Sequence, residues 1–247
     1  MARVRISLHP ALGFGLSGLI LAIASHPAVA SRIADALGEP ARRPLETVRL
    51  LDLAGRHLIL AGTGLALVAL LGIGLGLLVT RRFAAPWRPA VDGFAAAAQA
   101  VPPVVVVALA LPILGFGGPP TLLALVAYGI MPVLRGTVGA IEGVAPEVRE
   151  AGRAIGLNRW QVLLRIELPL ATPVLVETLR TALVLAIATA AVGALAGAAT
   201  LGTPIVAGLQ NQNTVAMLQG TAATAALAFL ADAALLTAVA LWRATRP

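Results

Sequence analysis

A chain of 247 residues that is 59% hydrophobic and 12% charged, with a mean hydropathy of +0.92, lacks the polar surface that a water-soluble domain of this length requires. Its net charge of +7 gathers at the ends of apolar segments and aromatics make up only 4% of the residues, which excludes a basic nucleic-acid surface interleaved with stacking rings. Without cysteine, neither disulfides nor thiol chemistry are available.

Six apolar stretches, at about 9–27, 56–79, 90–115, 119–138, 172–198 and 221–242, approach the roughly 20 residues that cross about 30 Å of hydrocarbon. They predict an all-α fold, a polytopic membrane helix bundle of about six spans. The first stretch has two readings. Arg3 and Arg5, the apolar run from Ala11 to Ala24, and Ala28-Val29-Ala30 together mimic a cleavable signal peptide. His26-Pro27 is a poor approach to a cleavage site and favours a retained span; residue 31 lies outside on either reading. Residues 31–55 carry mixed charge, from Arg32 and Asp35 to Arg49 and Asp52, and read as a short connecting helix or loop at the outer membrane surface. The chain thus divides into an N-terminal helix with its external connection (1–55) and a core of the remaining spans (56–247).

Gly62, Gly64, Gly72, Gly74 and Gly76 suit the second span to close helix packing. Arg81, Arg82 and Arg88 follow it without an acidic residue, Arg243 and Arg246 do the same after the last span, and Arg3 and Arg5 open the chain. With six spans these three clusters share one side, which the positive-inside rule makes cytoplasmic. Asp92 falls close to that interface. Pro102-Pro103 interrupts the third span and Pro132 lies within the fourth; each is either a bend beside a translocation path or a kink that serves packing.

The polar stretch 139–169 also falls on the cytoplasmic side and reads as two short helices parallel to the membrane. Pro146 suits a first helical position, with Glu147 and Glu150 near the positive helix start. Gly156 offers a left-handed stop, and Asn158 with Gln161 three residues on matches a capping box. Pro169 marks the exit into the next span. Beyond it, Glu177 and Arg180 are three apart and can pair on one helix face. Asp232 falls near the middle of the last span, where a charge costs about 2.5–3.5 kcal/mol on insertion scales. It either holds helices together or faces a path. Gln210, Asn211 and Asn213 lie outside before that span, as the mouth of a path or as a hydrated external loop.

Chemistry of other kinds finds no residues. A phosphate-binding P-loop needs a lysine, and the chain contains none, so nucleotide hydrolysis is expected on another chain. His9, His26 and His57 are isolated, which leaves no metal site, and no nucleophile or acid–base pair marks an enzyme.

Glu150-Ala151-Gly152, then Gly156, then Ile166-Glu167-Leu168-Pro169 fall at the spacing E-A-A-x3-G-x9-I-x-L-P. This segment resembles the cytoplasmic loop of type I ABC importer permeases, with Gly152 in place of the usual Ala at a cost of roughly 1 kcal/mol of helix propensity. The resemblance implies a coupling helix seated in a cleft of a separate ATPase subunit. Glu150, Ala151, Gly152 and Gly156 would form the docking surface; Ile166, Leu168 and Pro169 would fix the exit of the loop. It further implies ATP and magnesium bound by a partner ATPase dimer, with no cofactor in this chain. A second permease copy or a related permease, an external solute-binding protein and membrane lipid, but no nucleic acid, complete the implied surroundings. Closure of the ATPases on ATP would then draw two coupling helices together and turn the pore from inward- to outward-facing.

A wider resemblance, over about residues 50–240, is to the osmoprotectant branch of these permeases. It is carried by Leu201-Gly202-Thr203-Pro204-Ile205, by Gly208 to Asn213, by Ala100-Val101-Pro102-Pro103 and by Thr172 to Ala188. It implies passage of glycine betaine, choline or carnitine across a bacterial plasma membrane, with Pro102, Pro103, Gln210, Asn211, Asn213 and Asp232 as candidates along the path. Trp87, Trp160, Trp242 and Tyr128 are too few and too scattered for an aromatic cage, so the cage would belong to the binding protein. An amino-acid permease of the same machinery is an alternative. An ion-coupled secondary transporter is another, and would rest on Asp232 as its deep carboxylate.

Overall fold

The computed structural model describes residues 9–39 and 42–244, and among these no strand forms. The helices are α1 (His9–Ala24), α2 (Pro27–Ala36), α3 (Thr47–Val79), α4 (Arg88–Ala100), α5 (Pro103–Leu114), α6 (Gly118–Glu142), α7 (Pro146–Ala154), α8 (Arg159–Val162), α9 (Leu168–Val192), α10 (Gly202–Gln210) and α11 (Thr214–Ala244). A π turn, Leu163–Glu167, joins α8 to α9 without a break. Among the described residues, four helical runs are long and apolar enough to cross a membrane, or up to six if each of two bent pairs is one span. The orienting arginines Arg3, Arg5 and Arg246 lie outside the described residues, as does the side chain of Arg243.

Several boundaries differ from those the apolar stretches suggest. The first stretch turns by 78° between α1 and α2, because Pro27 takes the first position of a new helix and holds His26 extended at ψ 137°. The second span begins at Thr47 instead of 56. Asp52 pairs with both Arg49 (3.1 Å) and Arg56 (3.0 Å) at helical spacing, so the polar residues extend α3 rather than forming a loop. The third is broken into α4 and α5, bent by 90° where Val101 is extended before Pro102. The fifth starts at Arg159, since the π turn carries the helix past Pro169, and the sixth starts at Thr214. Gln210 to Asn213 are not a free loop: Gln210 ends α10 and the next three residues form its tight connection to α11. Pro132 lies inside α6, which continues through it.

The chain forms two compact units, each discontinuous in sequence. One comprises Met1–Gly62, Pro103–Ala124 and Leu183–Pro247; the other comprises Thr63–Pro102 and Leu125–Ala182. In the second unit, α3 and α6 interlock at four-residue intervals. A Cβ on Gly64, Gly72 or Gly76 would strike Leu125, Val133 and Thr137 respectively, and one on Gly129 would strike Val68. Small faces large at each level, so the two backbones approach closely. The paired numbers rise together, so α3 and α6 run parallel and end on the same face. Gly136 against Thr178, and Ala140 and Ile141 clustered with Leu163 and Ala171, run in opposite senses and make α9 antiparallel to α6.

In the first unit, α1 lies along α11. The Phe14 and Phe229 rings stack 5.9 Å apart, and Gly18 leaves room for Leu230. Ala30 and Ala34 of α2 pack on Val215 and Leu218. Two buried polar side chains tie together stretches of backbone distant in sequence. Gln219 accepts from Leu45 N–H at 2.8 Å and donates to Ser25 O and Leu45 O. Fully buried His57 accepts from Leu201 N–H at its Nδ1 (3.2 Å), so Nε2 carries the proton toward Ile187 O at 2.9 Å.

The glycine ladder has a direct test in α3. Gly72→Ala places a methyl 2.8 Å from Val133 and should cost about 1–3 kcal/mol, whereas Gly74, with nothing within 4 Å, should accept Ala without loss. Thermal unfolding of the two variants in detergent checks this; equal midpoints would refute the ladder.

Candidate functional site

The stretch between α6 and α9 folds as its local chemistry dictates. Pro146 is the first residue of α7, and Ala145 before it is extended at ψ 132°. The helix ends in a Schellman motif: Leu157 N–H bonds to Gly152 O (3.1 Å), Gly156 N–H bonds to Arg153 O (2.9 Å), and Gly156 takes φ +90°. Asn158 then caps α8, its Oδ1 accepting from Gln161 N–H while Gln161 Oε1 accepts from Asn158 N–H, both at 2.9 Å. Two cap motifs across three residues leave no slack. The turn between α7 and α8 is therefore rigid. The second helix differs from the expected free-standing one, because α8, the π turn and α9 form one continuous rod.

The sequence-predicted coupling residues occupy two faces of this element. Glu150 and Ala151 are exposed on α7, beside Glu147, Val148 and Ile155, which is 79% exposed. Gly152 is buried on the opposite face, where a Cβ would collide with Ile166 Cδ1. Glycine at this position lets Ile166 reach across and seat α7 on the π turn, at the price of helix propensity. Leu168 packs with Ile141, Leu163 and Ala171, while Pro169 is exposed on the rod. The pattern thus joins an outward surface to the groups that hold it.

Glu167, the unspecified residue of that pattern, is the best-buried acid of this region, 4% exposed. Its Oε2 accepts from Arg81 at 2.9 Å, and its Oε1 lies 3.7 Å from Arg149 Nε, an ion pair without a hydrogen bond. Arg81 also reaches Thr80 and Leu77 O at the end of α3. Arg149 donates to the carbonyls of Ile141, Glu142 and Val144 at and just beyond the end of α6. A second link is the Arg88–Glu142 pair, with Arg88 Nε 3.7 Å from Asp92. The signal available in the sequence was an acid set between apolar residues, with Arg81 lacking any acidic neighbour.

The remaining candidates are not gathered in one place. Pro102 is exposed in the break between α4 and α5, and Pro103 opens α5. Gln210 and Asn211 are exposed at the α10–α11 turn, with Asn211 Nδ2 donating to Ala207 O. Asn213 caps α11, accepting from Ala216 N–H and donating to Arg43 O, so its side chain has a structural task. Asp232 is buried 18 residues along α11 from Thr214, roughly 27 Å away at 1.5 Å per residue. Glu177 and Arg180 pair at 2.7 Å as their spacing suggests. Among the described residues no group of three His, Asp or Glu could hold a metal ion.

Comparison with known proteins identifies the family. Residues 72–242 match the family described as binding-protein-dependent transport system inner membrane component. The carnitine transport permease protein OpuCD of Listeria monocytogenes is 37% identical over 179 residues, 72% of this chain and 79% of that one. The glycine betaine/carnitine/choline transport system permease protein OpuCD of Bacillus subtilis is 36% identical over 179 residues, 72% of this chain and 77% of that one. Among solved structures, the MetNI methionine ABC transporter in an inward-facing conformation matches with a TM-score of 0.69 at 21% identity, over 78% of this chain and 97% of that one, and shares the fold. With a polytopic helical fold, an outward-facing helix built on the E-A-x pattern and this match over most of its length, the chain belongs to the family of binding-protein-dependent transport system inner membrane components.

Proposed function

We propose that this chain forms the translocation path of an ATP-driven importer for glycine betaine, carnitine, choline or a similar osmoprotectant. It works with a dimer of ATPase subunits that binds ATP and magnesium, a second copy of itself or a related permease, and an external solute-binding protein. The chain itself is not catalytic and carries no cofactor. It lies in the bacterial inner membrane as a multi-pass protein with residues 56–247 as the permease core and, with the first span retained, both termini in the cytoplasm. The relatives named for carnitine and for glycine betaine, carnitine and choline support the cargo. Pro102, Pro103, Gln210, Asn211 and Asp232 are retained as candidates along the path.

The observation that carries this reading is α7. It presents Glu147, Val148, Glu150, Ala151 and Ile155 to the exterior, while Gly152 and Arg149 fix its other face. An apolar strip flanked by acids, on a helix with rigid ends, suits a cleft on a partner protein. α3 and α6 run parallel and deliver Arg81, Arg82 and Arg88 to the same face as α7, which supports a cytoplasmic position.

Reversing the charge at Glu150 should uncouple the machine. In a reconstituted complex, Glu150→Arg should lower solute-stimulated ATP hydrolysis by about tenfold or more, the scale of a reversed charge inside a desolvated contact. Insertion and thermal stability of the permease should be unchanged; unchanged stimulation would remove the assignment of α7. The cargo is tested by screening ATP hydrolysis of the wild-type complex against glycine betaine, choline, carnitine and amino acids with the cognate binding protein. Stimulation by a quaternary ammonium compound is expected, and stimulation by an amino acid alone would overturn the osmoprotectant reading.

A further inference from the structure

We infer that Glu167 is the positioning residue through which movement of α7 reaches the membrane helices. This rests on the reading of α7 as the coupling helix. Three segments meet at its carboxylate: α7 through Arg149, the cytoplasmic end of α3 through Arg81, and the π turn that carries Glu167 itself. The first two are separated from it by 18 and 86 residues of chain, so local folding does not bring them together.

Each arginine has a second attachment. Arg149 holds the last carbonyls of α6, and Arg81 lies back on Leu77 O of α3 and on Thr80 just beyond it. The carboxylate therefore ties the ends of α3 and α6, through Arg81 and Arg149, to the root of α9. A buried carboxylate between two guanidinium groups resists separation, because pulling either away gives up part of what offsets its desolvation. Gly152 and Ile166 close the remaining gap between α7 and the π turn by direct packing. A force applied to the outer face of α7 thus passes to three long helices together, instead of bending the loops at 143–145 and 155–158.

The polar contacts of the outer face are elsewhere. Glu150, which the docking reading uses, does not touch this node, so the two residues act at separable steps: one receives the partner, the other transmits the displacement.

The test is the amount of solute moved per ATP hydrolysed by the full reconstituted complex. Glu167→Gln keeps the shape and removes the charge. It is expected to leave co-purification of the ATPase subunits and ATP hydrolysis near wild type while lowering solute transported per ATP by about tenfold, with Glu167→Asp restoring part of the ratio. Arg81→Gln should lower the ratio similarly, and the double variant should be no worse than either single one. A role confined to holding the fold would reduce the yield of complex and both rates together and leave the ratio unchanged; that result overturns the inference. If Glu167→Gln does not assemble, Arg81→Gln decides on the same ratio, from a side chain at the rim of the node. Glu150→Arg run alongside separates the two failures. An uncoupled Glu150→Arg with an unchanged ratio in Glu167→Gln refutes this inference alone, whereas an unaffected Glu150→Arg refutes the reading on which it rests.

Discussion

Hydrocarbon offers no water to complete a backbone hydrogen bond, so every helix end and every break within the membrane has to be closed by the chain itself. The fold is organised around that demand. His57 of α3 supplies an acceptor to Leu201 N–H, just ahead of α10, and a donor to Ile187 O within α9. Gln219, from another span, satisfies both the N–H and the C=O of Leu45 together with Ser25 O, where α1 bends and α3 is approached. At the end of α6 Arg149 reaches three carbonyls in the same manner. Each is a polar side chain reaching backbone far from its own place in the sequence or beyond its own helix.

The second constraint is proximity. Lipid gives apolar helices no reason to pack, so association depends on close backbone approach and on the contacts that follow. The alternation of Gly64, Val68, Gly72 and Gly76 against Leu125, Gly129, Val133 and Thr137 meets this in α3 and α6. The parallel sense of those helices has a topological result. Two parallel spans need an odd number of crossings between them, so the bent α4–α5 pair has to return the chain to the starting side. The α4–α5 pair thus counts as one span from packing, independently of hydropathy.

How much was legible depended on the range of the interactions. The turn between α7 and α8 was readable because Pro146, Gly156, Asn158 and Gln161 act on backbone within a few residues. The start of α3 was missed because the Arg49, Asp52 and Arg56 pairs keep a polar stretch helical, and hydropathy does not see pairs. α10 was missed because nine residues containing Gly and Pro look like a connection. Asn213 before an apolar run is a cap readable from local sequence, as its bond from Ala216 N–H bears out. Glu167 and its arginines could not be paired from the sequence, since nothing local says which distant cation an acid will meet. The same limit applies to Asp232 and to the lining of any path.

The wide turn at Leu163–Glu167 bears on the spacing of the recognised pattern. There Leu168 N–H bonds to Leu163 O, one residue further back than in an α-helix, just ahead of Pro169. The turn therefore holds one residue more than an α-helical turn, and each residue of a helix advances its direction by about 100°. Removing one residue from it would restore the regular ladder and swing α8, with α7 fastened to it through the capped turn, by about that angle around the axis of α9. The nine residues between Gly156 and Ile166 are thus an angular setting as well as a length, and they determine the compass direction in which the exposed side of α7 faces.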